Sequence, residues 1–292
     1  MSDDISILIV GLVRDCEKNI ESEYNNLKNL FKSFCTIKFL LVESDSKDFT
    51  VKILKNLSIR DKDFNYISKN DLINNYPERT DRLAYCRNLY LKKIKNNISY
   101  EHIKYVMVYD WDGINKINEP TKIKNLLINS SKWDAIFPNQ GFFYYDLWAL
   151  RNDKVKIDIW RFYNKLRKNI SYFYAHYLIN KRFYHKIKIN KNWLKVKSAF
   201  GGYGIYKKEV LLQAEYIGRN KINKPICEHV PLNLFLSNKG YKLFIVPNLI
   251  NGNINSHSIK YFKAFLLIHY ILNILGHNFR QILKKNGLIT YI

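Results

Sequence analysis

Two carboxylates one residue apart, Asp110 and Asp112, flank Trp111 directly after the apolar run Ile103–Tyr109 (IKYVMVY). In α/β sheets ligands bind outside the carboxyl ends of strands. A carboxylate pair at such an end supplies hard oxygen ligands for a divalent cation. The spacing alone is weak evidence, because 15 aspartates in 292 residues generate about one Asp-x-Asp pair by composition. A second pair, Asp61 and Asp63 around Lys62, lies in a charged segment with no strand before it. Position separates the two. The competing reading of Asp110 and Asp112 is a solvated strand-end turn.

Four other clusters carry chemistry. Glu43-Ser44-Asp45-Ser46-Lys47-Asp48-Phe49-Thr50 offers carboxylates and hydroxyls for ribose or base, with Asp48 or Ser46 as an alternative N-cap of the next helix. Arg79, Arg82 and Arg87 share one helix, where guanidinium forks suit a diphosphate and an ordinary solvated face competes. Ser198–Gly204 (SAFGGYG) is glycine-rich and lets backbone approach a sugar or phosphate closely, or is simply a tight turn. Tyr144-Tyr145-Asp146-Leu147-Trp148 combines an acid with aromatic faces suited to sugar rings or to core packing, and Arg151 adds a charge nearby.

The elements that must position these groups follow from periodicity. Ile5–Leu12 (ISILIVGL) is continuously apolar, as expected of a strand buried on both faces. Residues 16–34 carry Ile20, Tyr24, Leu27, Leu30 and Phe34 at helical spacing. Strands are expected at Ile37–Val42, Phe64–Ile67, Ile103–Tyr109 and Lys242–Val246, with helices at Phe49–Leu57 and Glu78–Ile94. A short strand (GIY) follows the glycine turn, and a helix is expected after Cys227-Glu228-His229-Val230. Alternating strands and helices predict an α/β domain with a mixed, mostly parallel, Rossmann-like sheet.

Composition narrows the class. Hydrophobic residues make up 47%, enough for a core, which excludes disorder as the main state. The net charge of +23 is unevenly placed: residues 1–153 are nearly balanced at +2, residues 154–197 hold 13 basic residues against Asp158, and residues 198–292 hold 12 against three acids. Cys16, Cys35, Cys86 and Cys227 show no CxxC spacing, which argues against a zinc site or disulfide framework and for a reducing compartment. The acidic N-terminus is unlike a signal peptide. No run reaches ~18 uninterrupted apolar residues; the nearest is Ala264–Leu275.

Read in order, VRDCE, ESDSKDFT, RLAYCRN, DWD and FPNQGFFYYDLWALR resemble the GT-A glycosyltransferases. They are most similar to the branch of capsule-associated mannosyltransferases and related bacterial and viral polysaccharide enzymes. That branch has E-x-x-S-x-D-x-T, L-A-x-x-R-N, an acidic strand-end motif and Y-D-x-W-x-x-R in this order; Trp111, before the second acid, departs from it. The match covers residues 5–151 well and 198–250 more loosely. It implies a hexosyltransferase that uses a nucleotide diphosphate sugar (UDP- or GDP-linked) with Mn²⁺ or Mg²⁺. It implies Asp110 and Asp112 as the metal and diphosphate motif, joined by His257 as a metal ligand. Arg14 and Glu43 would lie against the nucleotide, Arg87 near the diphosphate or donor sugar, and Asp146 against donor sugar or acceptor. Glu228 would be the general base and His229 the second candidate. A helix first-turn acid is the alternative role for Glu228, and an exposed loop residue the alternative for His257.

The expected organisation is a GT-A domain at 1–257, comprising a nucleotide-sugar half (1–151), a basic aromatic and mostly helical insertion (152–197) and an acceptor-side half (198–257). A basic amphipathic tail (258–292) follows. Thirteen Lys/Arg interleaved with ten Trp, Tyr or Phe in residues 154–197 suit a nucleic-acid backbone or an anionic bilayer. The apolar surface of the tail favours the bilayer, with packing onto the core or a partner as its alternative. The expected setting is cytoplasmic, peripheral on the inner membrane face, with a glycan or lipid-linked glycan acceptor in surface polysaccharide or lipopolysaccharide synthesis and no nucleic-acid partner. The competing class is a non-catalytic membrane- or nucleic-acid-binding protein on an α/β scaffold.

Overall fold

The computed structural model describes residues 5–141, 144–170, 174–175, 178–179, 182, 192–252, 267 and 271. The apolar run at the start becomes β1 (Ser6–Val13). Because side chains alternate across a strand, its two faces enter different cores. Ile7 and Ile9 pack with Phe39, Leu41 and Met107, whereas Leu8 and Val10 pack with Leu40, Val42, Val106 and Val108. Helix α1 (Ile20–Phe31), with Ile20, Tyr24, Leu27 and Phe31 buried, covers the first face. α2 (Thr50–Arg60) joins it through Leu54 and Leu57.

β2 (Thr36–Ser44) and β3 (Phe64–Lys69) continue the sheet in parallel on one side of β1. After the single turn α3 (Leu72–Asn75), the long helix α4 (Arg79–Asn96) crosses the second face with Ala84, Cys86, Tyr90, Leu91 and Ile94 buried. It delivers β4 (Tyr105–Tyr109) to the other side of β1, again parallel. The chain therefore turns outward in opposite directions from β1, and a crevice opens at the carboxyl ends of β1 and β4.

Beyond β4 the sheet is mixed. α5 (Pro120–Ile128) leads to β5 (Ala135–Asn139). α6 (Ile159–Leu166) and β6 (Leu194–Lys195) precede β7 (Tyr203–Lys207), which runs antiparallel between β4 and β5. After α7 (Lys208–Leu211) and α8 (His229–Asn238), β8 (Leu243–Ile250) pairs parallel with β5. The order is β3-β2-β1-β4-β7-β5-β8-β6, with four of seven pairings parallel. This is one α/β domain on a mixed, mostly parallel sheet. α5 and β5 were not anticipated; β5 is five residues long and wholly buried, too short for its period to show.

The segment expected to be mostly helical is helical at α6, but Leu194–Lys195 pairs antiparallel with β8 as an edge strand. A buried Val196, whose amide donates to Leu243 O (3.0 Å), continues that attachment. The two ends of this segment meet at an isolated bridge between Arg151 and Ser198, where Arg151 N donates to Ser198 O (2.8 Å).

Gly11 lies in mid-β1 opposite the side chain of Trp111. A Cβ there would fall 2.3 Å from Trp111 Cδ1 and 2.4 Å from Tyr109 O. Trp111 is 1% exposed, so the tryptophan between the two acids is a core anchor that holds the strand end down. Gly11→Ala should therefore destabilise by about 1–3 kcal/mol, as overpacking does, measured by urea unfolding; unchanged stability would mean that Trp111 is loosely seated.

Candidate functional site

The crevice is a cleft of about 710 Å³. Its walls bring together Arg14 from the end of β1, Arg79, Arg82 and Arg87 from α4, Asp110 and Asp112 after β4, Asp146 after β5, and Glu228 and His229 at the start of α8. Glu43 is not on the lining. Its carboxylate is wholly buried, accepting from Ser46 N (2.8 Å) and from the Ser68 hydroxyl; the next residue, Ser44, reaches the cleft. His257 lies outside the described residues.

The Glu43–Thr50 block braces two loops. Asp15 and Asp45 adopt left-handed backbone conformations (φ 51° and 57°), which aspartate tolerates better than most residues. Asp15 Oδ1 accepts from Lys47 N (2.7 Å), Ser46 Oγ from Asp15 N (3.2 Å) and Thr50 Oγ1 from Cys16 N (2.8 Å). Asp48 Oδ2 accepts from Glu17 N (3.0 Å), and Glu17 Oε2 from Phe49 N (2.9 Å). Asp48 also accepts from Thr50 N (2.9 Å) at the start of α2. The loop carrying Arg14 is thus bound to the loop after β2, which fixes that edge of the cleft.

The floor is organised by Arg87. Its side chain is 5% exposed; Nε donates to Glu228 Oε1 (2.8 Å), and Nη2 lies 3.8 Å from Asp110 Oδ1. Its guanidinium sits 5.5 Å from the Tyr216 ring centre and 5.7 Å from that of Phe200, within cation–π range. Burial alone would disfavour the charge, but the paired Glu228 carboxylate keeps it protonated. Glu228 occupies the N-cap position of α8 yet makes no capping hydrogen bond. Arg87 holds the side chain, which still stands at the N-terminal end of the helix, where the dipole also favours a carboxylate.

His229 stacks on Phe200 (3.9 Å between centres, 17°). Burial first, and the charge of Arg87 second, hold its pKa well below the usual value. The imidazole is therefore neutral near pH 7, and its 3.6 Å approach to Glu228 is not an ion pair. Both ring nitrogens are buried without a hydrogen-bond partner.

Asp146 is occupied in part by backbone. It accepts from Gly201 N (3.0 Å) and Ala149 N (3.3 Å), while the Tyr144 hydroxyl accepts from Phe200 N (3.1 Å). These bonds hold the glycine turn, where Gly201 and Gly202 have φ of 79° and 95°. A Cβ on Gly202 would meet Asn115 Oδ1 at 2.3 Å. Asn115 ties that turn to the acid motif, donating to Asp110 O (2.7 Å) and Gly202 O (3.2 Å). No spacing rule marks Asn115, and its partners lie on two segments far apart in the chain.

Asp110 opens to the cleft with 37% of its side chain, but the cleft is a recess and protein surrounds the rest. Burial raises its pKa to about 8; Asp112, Asp146 and Glu228 add to the rise and Arg87 opposes it. Four carboxylates thus face one closely placed guanidinium, a surplus of hard oxygen ligands without enough positive charge. Asp110 and Asp112 are the residues that could hold a divalent cation there through carboxylate oxygens. Among the described residues, no group of three or more His, Cys, Asp or Glu side chains is gathered as a self-sufficient metal site.

No protein-family model matches the chain, and no curated protein matches it. Solved structures are similar at low identity. Mannosyltransferase PcManGT from Pyrobaculum calidifontis, in complex with GDP-Man and Mn²⁺, is 12% identical with a TM-score of 0.48, covering 93% of this chain and 64% of its own. S. aureus TarS 1-349 in complex with UDP-GlcNAc is 11% identical with a TM-score of 0.47, covering 88% and 61%. Glucosyl-3-phosphoglycerate synthase from Mycobacterium tuberculosis, in complex with UDP, is 12% identical with a TM-score of 0.44, covering 90% and 79%. The alignment thus spans less than two thirds of the first two proteins.

Two outcomes test this electrostatic description. Arg87→Met should cost about 3–5 kcal/mol by stranding Glu228, and adding Glu228→Gln should restore much of it, both read by urea unfolding. The pKa of Asp110 is raised on folding, so its contribution to stability is full below about pH 4 and is lost as pH climbs through about 8. The stability of the wild type minus that of Asp110→Asn should accordingly fall between about pH 4 and about pH 8 and flatten above, in the absence of divalent cation.

Proposed function

We propose that this protein is a GT-A-type glycosyltransferase, moving a hexose from a UDP- or GDP-linked donor to an acceptor hydroxyl. The observation that carries the reading is the pairing of Asp110 and Asp112 at the open end of a central strand. They share their cleft with four arginines, one of which, Arg87, is paired with the buried Glu228. A dianionic diphosphate entering a floor of four carboxylates needs a counter-ion, and the two aspartates would hold Mn²⁺ or Mg²⁺ there. When bound, the cation neutralises the diphosphate and stabilises the charge left on it as the anomeric C–O bond breaks.

The remaining roles belong to the chain's own side chains. Arg14, Arg79 and Arg82 place positive charge along the nucleotide end. Arg87, held against Glu228, keeps Asp110 oriented. In an inverting transfer Glu228 is the base for the attacking hydroxyl, with neutral His229 beside it as the second candidate.

Further proposals concern the setting. Residues 1–257 form the catalytic domain, and the basic tail at 258–292 holds it against the anionic cytoplasmic face of a membrane. There it extends a glycan or lipid-linked glycan, in the manner of a capsule-type polysaccharide enzyme. Among the described residues no helix is long and apolar enough to cross a membrane. The tail itself lies almost wholly outside the described residues.

The test is release of UDP or GDP from a panel of nucleotide sugars in the presence of Mn²⁺ or Mg²⁺. One nucleotide class should raise the melting temperature only when the cation is present, and Asp110→Asn/Asp112→Asn should slow release by about 100-fold or more. A double variant as fast as the wild type would sink the assignment.

A further inference from the structure

The cleft is chemically lopsided. Its span can be judged from the strands beneath it: Ser44 ends β2, Arg14 follows β1, Asp110–Asp112 follow β4, and Tyr145–Trp148 follow β5 on the far side of β7. At ~4.8 Å per strand, the four spacings from β2 to β5 cover about 19 Å. The four arginines of the lining all come from β1 and α4. The β5 end is lined by Tyr145, Asp146, Trp148, Trp160 and Asn164, with no lysine or arginine among the described residues that line it. One end is built for phosphates and the other is not.

Two of those residues come from the basic insertion. α6 buries Ile159 and Tyr163 in the core, and the adjacent face turns Trp160 and Asn164, four residues apart, toward the cleft. Trp160 is half-buried and Asn164 is exposed at the mouth. The two parts of this wall are braced together. Arg151 is 7% exposed in its side chain; its Nη1 donates to Trp148 O (3.0 Å) and Leu150 O (2.7 Å), and its Nη2 lies 4.0 Å from Asp158. Asp158 in turn accepts from Arg161 N (3.0 Å) at the start of α6. Arg151 therefore links the turn carrying Trp148 to the helix carrying Trp160, rather than adding a charge to the cleft. Asp158, the one acid of residues 154–197, is consumed inside this bracket.

Resting on the transferase reading above, we propose that Trp160 and Asn164, with Trp148, form the acceptor subsite and that its occupant is a neutral sugar ring. Indole faces cover the C–H side of a pyranose, an amide both donates to and accepts from its hydroxyls, and no lysine or arginine among the described residues lines that end to pair with an anionic group. An acyl chain would leave the Asn164 amide facing hydrocarbon without a partner. The insertion supplies acceptor specificity, not only basic surface.

The experiment uses the full chain and two independent readouts. Saturation-transfer NMR with methyl glycosides of glucose, mannose, galactose and N-acetylglucosamine should show contact to ring protons of at least one glycoside. That contact should be lost in Trp160→Ala, weakened in Asn164→Ala and kept in Trp160→Phe, the last two guarding against a folding defect in the first. In transfer assays with the responding glycoside, Trp160→Ala should raise the glycoside KM by about tenfold or more relative to any rise in donor KM. No contact in the wild type, equal contact in Trp160→Ala, or a rise confined to donor KM would overturn the assignment. Glycoside contact through Trp160 without donor cleavage would instead defeat the transferase reading and leave the sugar site standing.

Discussion

A guanidinium buried beneath the cleft sets the geometry of the whole centre. Arg87 comes from α4, Glu228 from the cap of α8 and Asp110 from the end of β4, and the aromatic rings of Phe200 and Tyr216 lie within cation–π range of it. An unpaired charge at that depth would cost several kcal/mol, so these elements can pack only in arrangements that keep the pair together. The pair adds little to stability over an apolar substitute of the same shape, but it specifies which helix end meets which strand end. The floor of the cleft is a by-product of that specification.

The same constraint explains the electrostatic state of the centre. Arg87 is shared between two carboxylates, while Asp112 and Asp146 have no arginine of their own within ion-pair distance among the described residues. Asp146 is instead satisfied by backbone amides of the glycine turn. Asp110 is left partly uncompensated, and burial moves it toward the protonated form. A site poised in this way gains most from a ligand that brings positive charge with it.

Much of the scaffold was legible in the chain. The apolar run at β1 suited a strand covered on both faces and that at β4 read as another strand, and the helical spacing of Ile20, Tyr24 and Leu27 marked the helix that covers one face of the sheet. The Asp110-Trp111-Asp112 motif was read correctly as standing at a strand end, because a strand's end is a local fact. Other signals were too short or too distributed. β5 is five buried residues, and the edge strand β6 is two. The Glu43–Thr50 block carries the residue types of a binding loop, but its side chains mostly brace the neighbouring loop, since each hydroxyl and carboxylate found an amide across the gap.

What the sequence determined alone is therefore the alternation of elements, the sharing of apolar residues between two cores, and the placement of two acids at the mouth of a central strand. Those properties depend on periodicity and on neighbours a few residues away. Only the tertiary structure decided that Glu228, 141 residues from Arg87, is its partner, that Asp146 serves the glycine turn, and that Trp160 of a basic insertion turns into the cleft. Pairing across such distances is settled by which groups must be satisfied together once water is excluded, and no local spacing records that requirement.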